Sequence, residues 1–134
     1  MDTSFFIARF SRSDKNHRLA SKFLQSQQEP GAEVLRLVFS DYVFDETVTT
    51  LLFRSRRHDI AAAAGKAILE SKAFDRVAVE APVFEAAWSL FLERPDKSWS
   101  FTDCTSFVLM ENLGLRKALA FDRNFAEAGF AMIP

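Results

Sequence analysis

The sequence predicts an α/β domain built on a mainly parallel sheet. Short runs rich in Val, Leu, Phe and Ala alternate with longer amphipathic stretches of helical spacing, the pattern of strand-helix-strand units. No Asn-Gly or Asp-Gly dipeptide separates two apolar runs, so tight antiparallel hairpins are not signalled. The 134 residues suit one domain, 1–134, able to bury roughly two thirds of the surface the unfolded chain exposes.

Met1 to Arg12 carries Asp2 and then Phe5, Phe6, Ile7, Ala8 and Phe10, and reads as a strand stub turning into a helical piece. Asp14 is placed to cap a helix to about Gln28, with Leu19, Ala20, Phe23 and Leu24 inward and Lys15, Arg18 and Lys22 outward. Gln27 to Gly31 breaks it, and Glu33 to Phe39 reads as a buried strand. Ser40-Asp41 then caps a helix whose Val43, Phe44, Val48, Leu51, Leu52 and Phe53 cover much of its circumference, so deep burial is expected. The cations of its Arg54-Ser55-Arg56-Arg57 tail sit at the negative end of the helix dipole.

Asp59 opens an Ala-rich helix through about Lys72, whose small side chains permit close packing. Val77 to Val79 is a second short strand. After Pro82, the residues Val83, Phe84, Ala87, Trp88, Phe91 and Leu92 recur at helical spacing until Arg94-Pro95, and such a stripe is expected in the core. The loop Asp96-Lys97-Ser98 leads to Trp99-Ser100-Phe101-Thr102-Asp103-Cys104, where Ser100 and Asp103 fit a capping box with Asp in place of Glu. That helix runs to Leu113, with Gly114 as its stop. Ala118 to Phe121 is a compact strand, Asn124 to Ala128 a brief helix, and Phe130 to Ile133 a closing strand after a turn at Gly129.

Composition narrows the function classes. Seventeen basic and eighteen acidic side chains leave a formal charge of -1, so no global field draws the chain to nucleic acid or membrane. No run approaches the ~20 apolar residues of a membrane span, and no basic leader precedes a long apolar run, so a soluble, cytoplasmic protein is expected. One cysteine, Cys104, excludes an internal disulfide, and with His17 and His58 it leaves too few soft ligands for structural zinc. Cys104 lacks an orienting group for nucleophilic catalysis and reads as a small buried residue.

The acids carry the chemistry. Asp2 follows the strand stub, Glu46 lies in the second turn of the helix after the Glu33 to Phe39 strand, Asp103 opens a helix, and Asp122 directly follows a strand. Parallel sheets place sites at the C-terminal ends of strands, so all four can line one edge. Gathered carboxylates repel by about 4 kcal/mol per pair at 4 Å with an effective dielectric of 20, and a divalent cation relieves that repulsion. Oxygen ligands without His or Cys suit Mg²⁺ or Mn²⁺, the ions of phosphodiester hydrolysis.

Asp2-Thr3-Ser4, Asp41 to Thr47 with Glu46, Ser100-Phe101-Thr102-Asp103-Cys104 and Phe121-Asp122-Arg123-Asn124-Phe125, in that order, resemble the PIN-domain family, above all VapC-type toxins. The resemblance implies a three-layer α/β/α sandwich and a Mg²⁺- or Mn²⁺-dependent endoribonuclease, the toxin of a type II toxin-antitoxin pair. It implies Asp2, Glu46, Asp103 and Asp122 as metal-binding acids, Thr102 or Ser4 as the hydroxyl near the attacking water, a VapB-type antitoxin and a homodimer. Family members usually carry several apolar residues before the first Asp, whereas here Met1 alone precedes Asp2, so a clipped first strand or an upstream start is expected.

Asp45 projects about 100° from Glu46 around the helix and is the weaker ligand. Arg123 is the favoured phosphate contact, beside a wider set of Arg9, Arg12, Lys15, Arg18, Lys22, Arg54, Arg56, Arg57 and Lys97. A PIN-like module without turnover is the alternative function. A haloacid dehalogenase-type phosphatase is disfavoured, because Ser4 stands where that family has a second Asp.

Overall fold

The computed structural model describes residues 1–31 and 36–134. Among these, the order is α1 (Thr3–Phe10), α2 (His17–Ser26), β1 (Leu37–Ser40), α3 (Asp41–Ser55), α4 (His58–Glu70) and β2 (Phe74–Val77). Then follow α5 (Ala81–Glu93), α6 (Phe101–Asn112), β3 (Lys117–Leu119), α7 (Asn124–Glu127) and β4 (Ala131–Ile133). Helices and parallel strands interleave, with two helices before each of β1, β2 and β3. Glu33, Val34 and Leu35 of the expected strand lie outside the described residues.

The strands form two parallel pairs: β1 with β2, in register from Leu37 opposite Phe74, and β3 with β4, from Lys117 opposite Ala131. The first two residues stand between the pairs. The Met1 ammonium donates to the Val38 carbonyl at 2.6 Å, and the Asp2 N–H to the Leu119 carbonyl at 3.0 Å. The expected strand stub is therefore absent as a strand, and only these two rungs remain of it. Asp2 ends it by capping α1, its carboxylate accepting the Ser4 N–H at 2.8 Å. A cavity of about 370 Å³, lined by Met1, Arg36, Leu37, Lys117 and Leu119 among others, adjoins the two rungs.

Hydrogen bonds to distant side chains accompany shifts of the other strand ends. The Val79 N–H is taken by Asp41 Oδ1 at 3.0 Å, and β2 spans Phe74–Val77 instead of the expected 77–79. The Phe121 N–H donates to Ser4 Oγ at 2.9 Å, and β3 stops at Leu119. Ser40, not Asp41, caps α3, accepting the Val43 N–H at 3.1 Å. Asp14 accepts the Asn16 N–H at 2.9 Å, forming a turn ahead of α2 in place of the expected cap.

Burial corrects three expectations. Helix α3 buries only Val43, Thr47 and Leu51, leaving Phe53 75% exposed. Leu19 faces outward, whereas Ala20 is buried. In α5 Val83 and Ala87 are buried, but Phe84, Trp88, Phe91 and Leu92 are exposed, the rings of Phe84, Trp88 and Phe91 gathered around Phe101. Periodicity shows that a helix has an apolar side but not whether a partner covers it.

The core lies in two regions. Phe5, Phe6, Ile7 and Ala8 put α1 in full contact with α2, α3, α4 and the β1 region. Around α6, Phe107 packs edge-on to Trp99 and Phe125, with centroids 5.0 Å away in both cases. The Ala-rich α4 meets α3 closely: a Cβ on Gly65 would lie 3.2 Å from Val48 Cγ2 and 3.3 Å from Phe44 Cζ. Trp99, with the Arg94 guanidinium 4.8 Å from its ring centroid, anchors the loop that delivers α6.

Candidate active site

Asp103 occupies the third position of α6 and takes part in a complete capping box. Its N–H donates to Ser100 Oγ at 3.0 Å, and its Oδ2 accepts the Ser100 N–H at 2.8 Å. The same Oδ2 accepts from Asn124 Nδ2 at 3.0 Å. Of this carboxylate's two oxygens, Oδ2 thus has two protein donors.

The other acids show a related division. Asp2 Oδ2 accepts the N–H and hydroxyl of Ser4, Glu46 Oε2 accepts the Thr3 hydroxyl at 2.5 Å, and Asp122 Oδ1 accepts the Asn124 N–H at 3.0 Å. In each of the four acids, one oxygen is engaged by these bonds. Asp2, Glu46, Asp103 and Asp122 all line one cleft of about 680 Å³. Thr3, Ser4 and Asn124 line it too, with the cations Lys15, Arg54 and Arg123.

Thr102 does not line this cleft, being one residue and about 100° around the helix from Asp103. Thr3 and Asn124 join the site without a chemical motif of their own. Their signal is proximity: Thr3 follows the acid that caps α1, and Asn124 stands two residues after Asp122, the spacing of an Asx turn. Asp45 is exposed and absent from the lining. Arg57 and Lys97 are held instead by Asp59 and Glu127.

Electrostatics sets these acids apart. Burial, opposed by hydrogen bonds from Ser4 and reinforced by the Asp103 charge, pushes the Asp2 carboxyl up to about 6. Burial also raises Glu46, with the charges of Asp103, Asp45 and Asp122 adding to it. Asp103 is raised by burial and by Asp122, against bonds from Ser100 and Asn124. Cys104, buried in the core, has its thiol pushed up by burial and is no nucleophile.

The donor set fits a hard divalent cation in chemistry, being entirely oxygen and carrying more negative charge than its surroundings neutralise. Among the described residues, no three of His, Cys, Asp and Glu are grouped to hold a metal ion by themselves. Mg²⁺ usually keeps several waters and takes only one or two carboxylates directly, so a partly hydrated ion suits a cleft of this breadth.

Asp2 and Met1 are expected to shape the pH dependence of stability in the metal-free protein. A raised carboxyl means the folded state binds the proton more tightly, so stability falls as pH rises from about 4 to about 6. Burial lowers the Met1 ammonium to about 6, against the Asp2 charge, so stability recovers as pH rises from about 6 to 8. Denaturant titrations in EDTA are expected to show a minimum near pH 6, with limbs on the order of a few kcal/mol and the raised Glu46 and Asp103 adding to the lower one. Joining three apolar residues ahead of Met1 replaces the ammonium by an amide, so the upper limb is expected to vanish. A limb that persists there is not due to Met1.

Comparison with known proteins identifies the fold family. The PIN domain family model matches residues 1–131. The 23S rRNA-specific endonuclease VapC20, from two strains of Mycobacterium tuberculosis, is 32% identical over 134 residues, covering 99% of this chain and 95% of the relative. The crystal structure of Mycobacterium tuberculosis VapC20, described as a Sarcin-Ricin loop cleaving toxin, superposes with a TM-score of 0.84 at 34% identity. That match covers 97% of this chain and 94% of the other. With its parallel strands, its cleft of acids and a family match over nearly its whole length, the chain belongs to the PIN-domain family.

Proposed function

We propose that this protein is a Mg²⁺- or Mn²⁺-dependent endoribonuclease, the toxin of a type II toxin-antitoxin pair, and that it cleaves 23S rRNA in the sarcin-ricin loop. The observation that carries the reading is the meeting of Asp2, Glu46, Asp103 and Asp122 in one cleft, with two of them buried. The substrate follows from the likeness to VapC20. The whole chain, 1–134, is one PIN-like nuclease unit. Its place is the cytoplasm, where a VapB-type antitoxin holds it inactive. It forms a homodimer, for which Phe53, Trp88 and Leu92 leave apolar surface to cover.

In this reading the four acids would hold a partly hydrated cation, one or two of them directly and the others through its waters, and the ion would supply a water of lowered pKa and charge neutralisation on the phosphate. The protein's own part is orientation. Ser4, Thr3, the Ser100 N–H and Asn124 engage one oxygen of each acid and leave the other for the ion or its waters. Ser4, which lines the cleft, is the hydroxyl nearest this role, in place of Thr102. Lys15, Arg54 and Arg123 meet the flanking phosphates.

The test is incubation with a 23S rRNA fragment carrying the sarcin-ricin loop, beside an unrelated RNA of equal length. Cleavage at one position, abolished by EDTA and restored by Mn²⁺, is expected. Metal-independent cutting removes the chemistry, and equal cutting of both RNAs removes the substrate. The second reading, a module without turnover, is favoured by the lack, among the described residues, of any three His, Cys, Asp or Glu side chains placed to hold a metal ion together. RNA binding without cleavage at saturating Mn²⁺ selects it.

Arg54→Ala and Arg123→Ala are each expected to weaken RNA binding several-fold and to reduce the salt-dependence slope by about one, with kcat little changed. Filter binding from 50 to 200 mM salt reads this directly. An unchanged slope in both removes these arginines from the phosphate path.

A further inference from the structure

We propose that Asn124 is a positioning residue of the nuclease site, whose side chain selects which Asp103 oxygen faces the cation. The inference rests on the metal-dependent reading and deepens it. An ionised carboxylate only accepts hydrogen bonds, so the amide must face Asp103 with its nitrogen, and it does so at 3.0 Å from Oδ2. That oxygen also accepts the Ser100 N–H at 2.8 Å, which by itself leaves the carboxylate free to pivot about one bond. Two donors converging from α6 and α7 on one oxygen remove that freedom and turn Oδ1 away from both.

Asn124 also joins two of the acids. Its backbone N–H holds Asp122 Oδ1 at 3.0 Å while its side chain holds Asp103 Oδ2, so a single residue sets the relative placement of carboxylates 19 positions apart in sequence. Asn124 is half-buried and lines the cleft, yet donates its amide hydrogens to an acid where a ligand would offer an oxygen. The capping box and the metal site thereby share Asp103 by dividing its two oxygens.

Calorimetric titration with Mn²⁺, without RNA, tests this in the full chain. Asn124→Ala leaves the backbone N–H to Asp122 intact and removes only the donor to Asp103, so Mn²⁺ affinity is expected to fall ten- to a hundredfold. Asn124→Asp keeps an oxygen that a ligand would use, adds a charge, and sets a second acceptor against Asp103 Oδ2. A positioning role predicts at least tenfold weaker binding in this variant, with the thermal midpoint of both variants within a few degrees of wild type. Unchanged affinity in Asn124→Ala, or tighter binding in Asn124→Asp, overturns the assignment. A wild-type protein that takes up no Mn²⁺ overturns the metal reading itself, a result distinct from either.

Discussion

Asp103→Asn is expected to eliminate Mn²⁺-dependent RNA cleavage, with a loss greater than a hundredfold in kcat, while the protein stays folded. Removing an outer partner of a metal ligand typically costs 10- to 100-fold, and removing the charge of the ligand itself costs more. The fold survives because the asparagine keeps an oxygen able to accept the Ser100 N–H, so the capping box remains. Far-UV circular dichroism checks the fold and a cleavage time course the loss. Equal residual cleavage in variant and wild type removes Asp103 from the chemistry.

Asp2→Asn is expected to move stability and activity in opposite directions. Its carboxyl is 3% exposed and pushed up to about 6, so at pH 7 it is ionised at a cost the unfolded chain does not bear. Replacing it with a neutral isostere that still accepts the Ser4 N–H is expected to stabilise the metal-free protein by about 3 kcal/mol at pH 7. In a domain of this size that is on the order of 10 °C in thermal midpoint. Cleavage is expected to fall at least a hundredfold. The stability gain should disappear below pH 4, where the wild-type carboxyl is protonated in both states. A destabilised Asp2→Asn variant contradicts the idea that this carboxylate is kept charged at the expense of the fold.

The two substitutions separate what a cap and a ligand contribute. Both acids stand at helix starts, where the dipole and unpaired N–H groups favour a carboxylate regardless of function. A cap alone predicts that removing the charge destabilises. Burial among other acids predicts the reverse for Asp2.

The cap of α6 is legible in the sequence because it is local. Ser100 and Asp103 stand three residues apart, and the reciprocal bonds they predict are both formed. Gly114 ends α6 with a φ of +67°, which glycine adopts without strain. Strand ends were less legible: β2 lies three residues earlier at its start than expected, and its successor Val79 is bonded to Asp41, 38 residues away. No local pattern encodes such a bond. The α5 aromatics were misjudged for a related reason, since Phe84, Trp88 and Phe91 have the spacing of a buried stripe but lie over Phe101 at the surface.

The acids of the site could be chosen from sequence order and their places at strand and helix ends, but not their partners. Thr3 and Asn124 carry no chemical signature by themselves, and the resemblance leaves Thr102 and Ser4 as alternatives, of which only Ser4 lines the cleft. The sequence by itself determined the α/β class and the capping box that opens α6, and it nominated the four acids, because periodicity, capping and strand-end placement are properties of short segments. Only the tertiary structure decided which oxygen of each acid is engaged, that Asn124 ties Asp103 to Asp122, and that Met1 and Asp2 bridge two strand pairs. Those outcomes depend on hydrogen bonds between elements distant in the chain, and their geometry exists only once α1, α3, α6 and α7 have packed around one cleft.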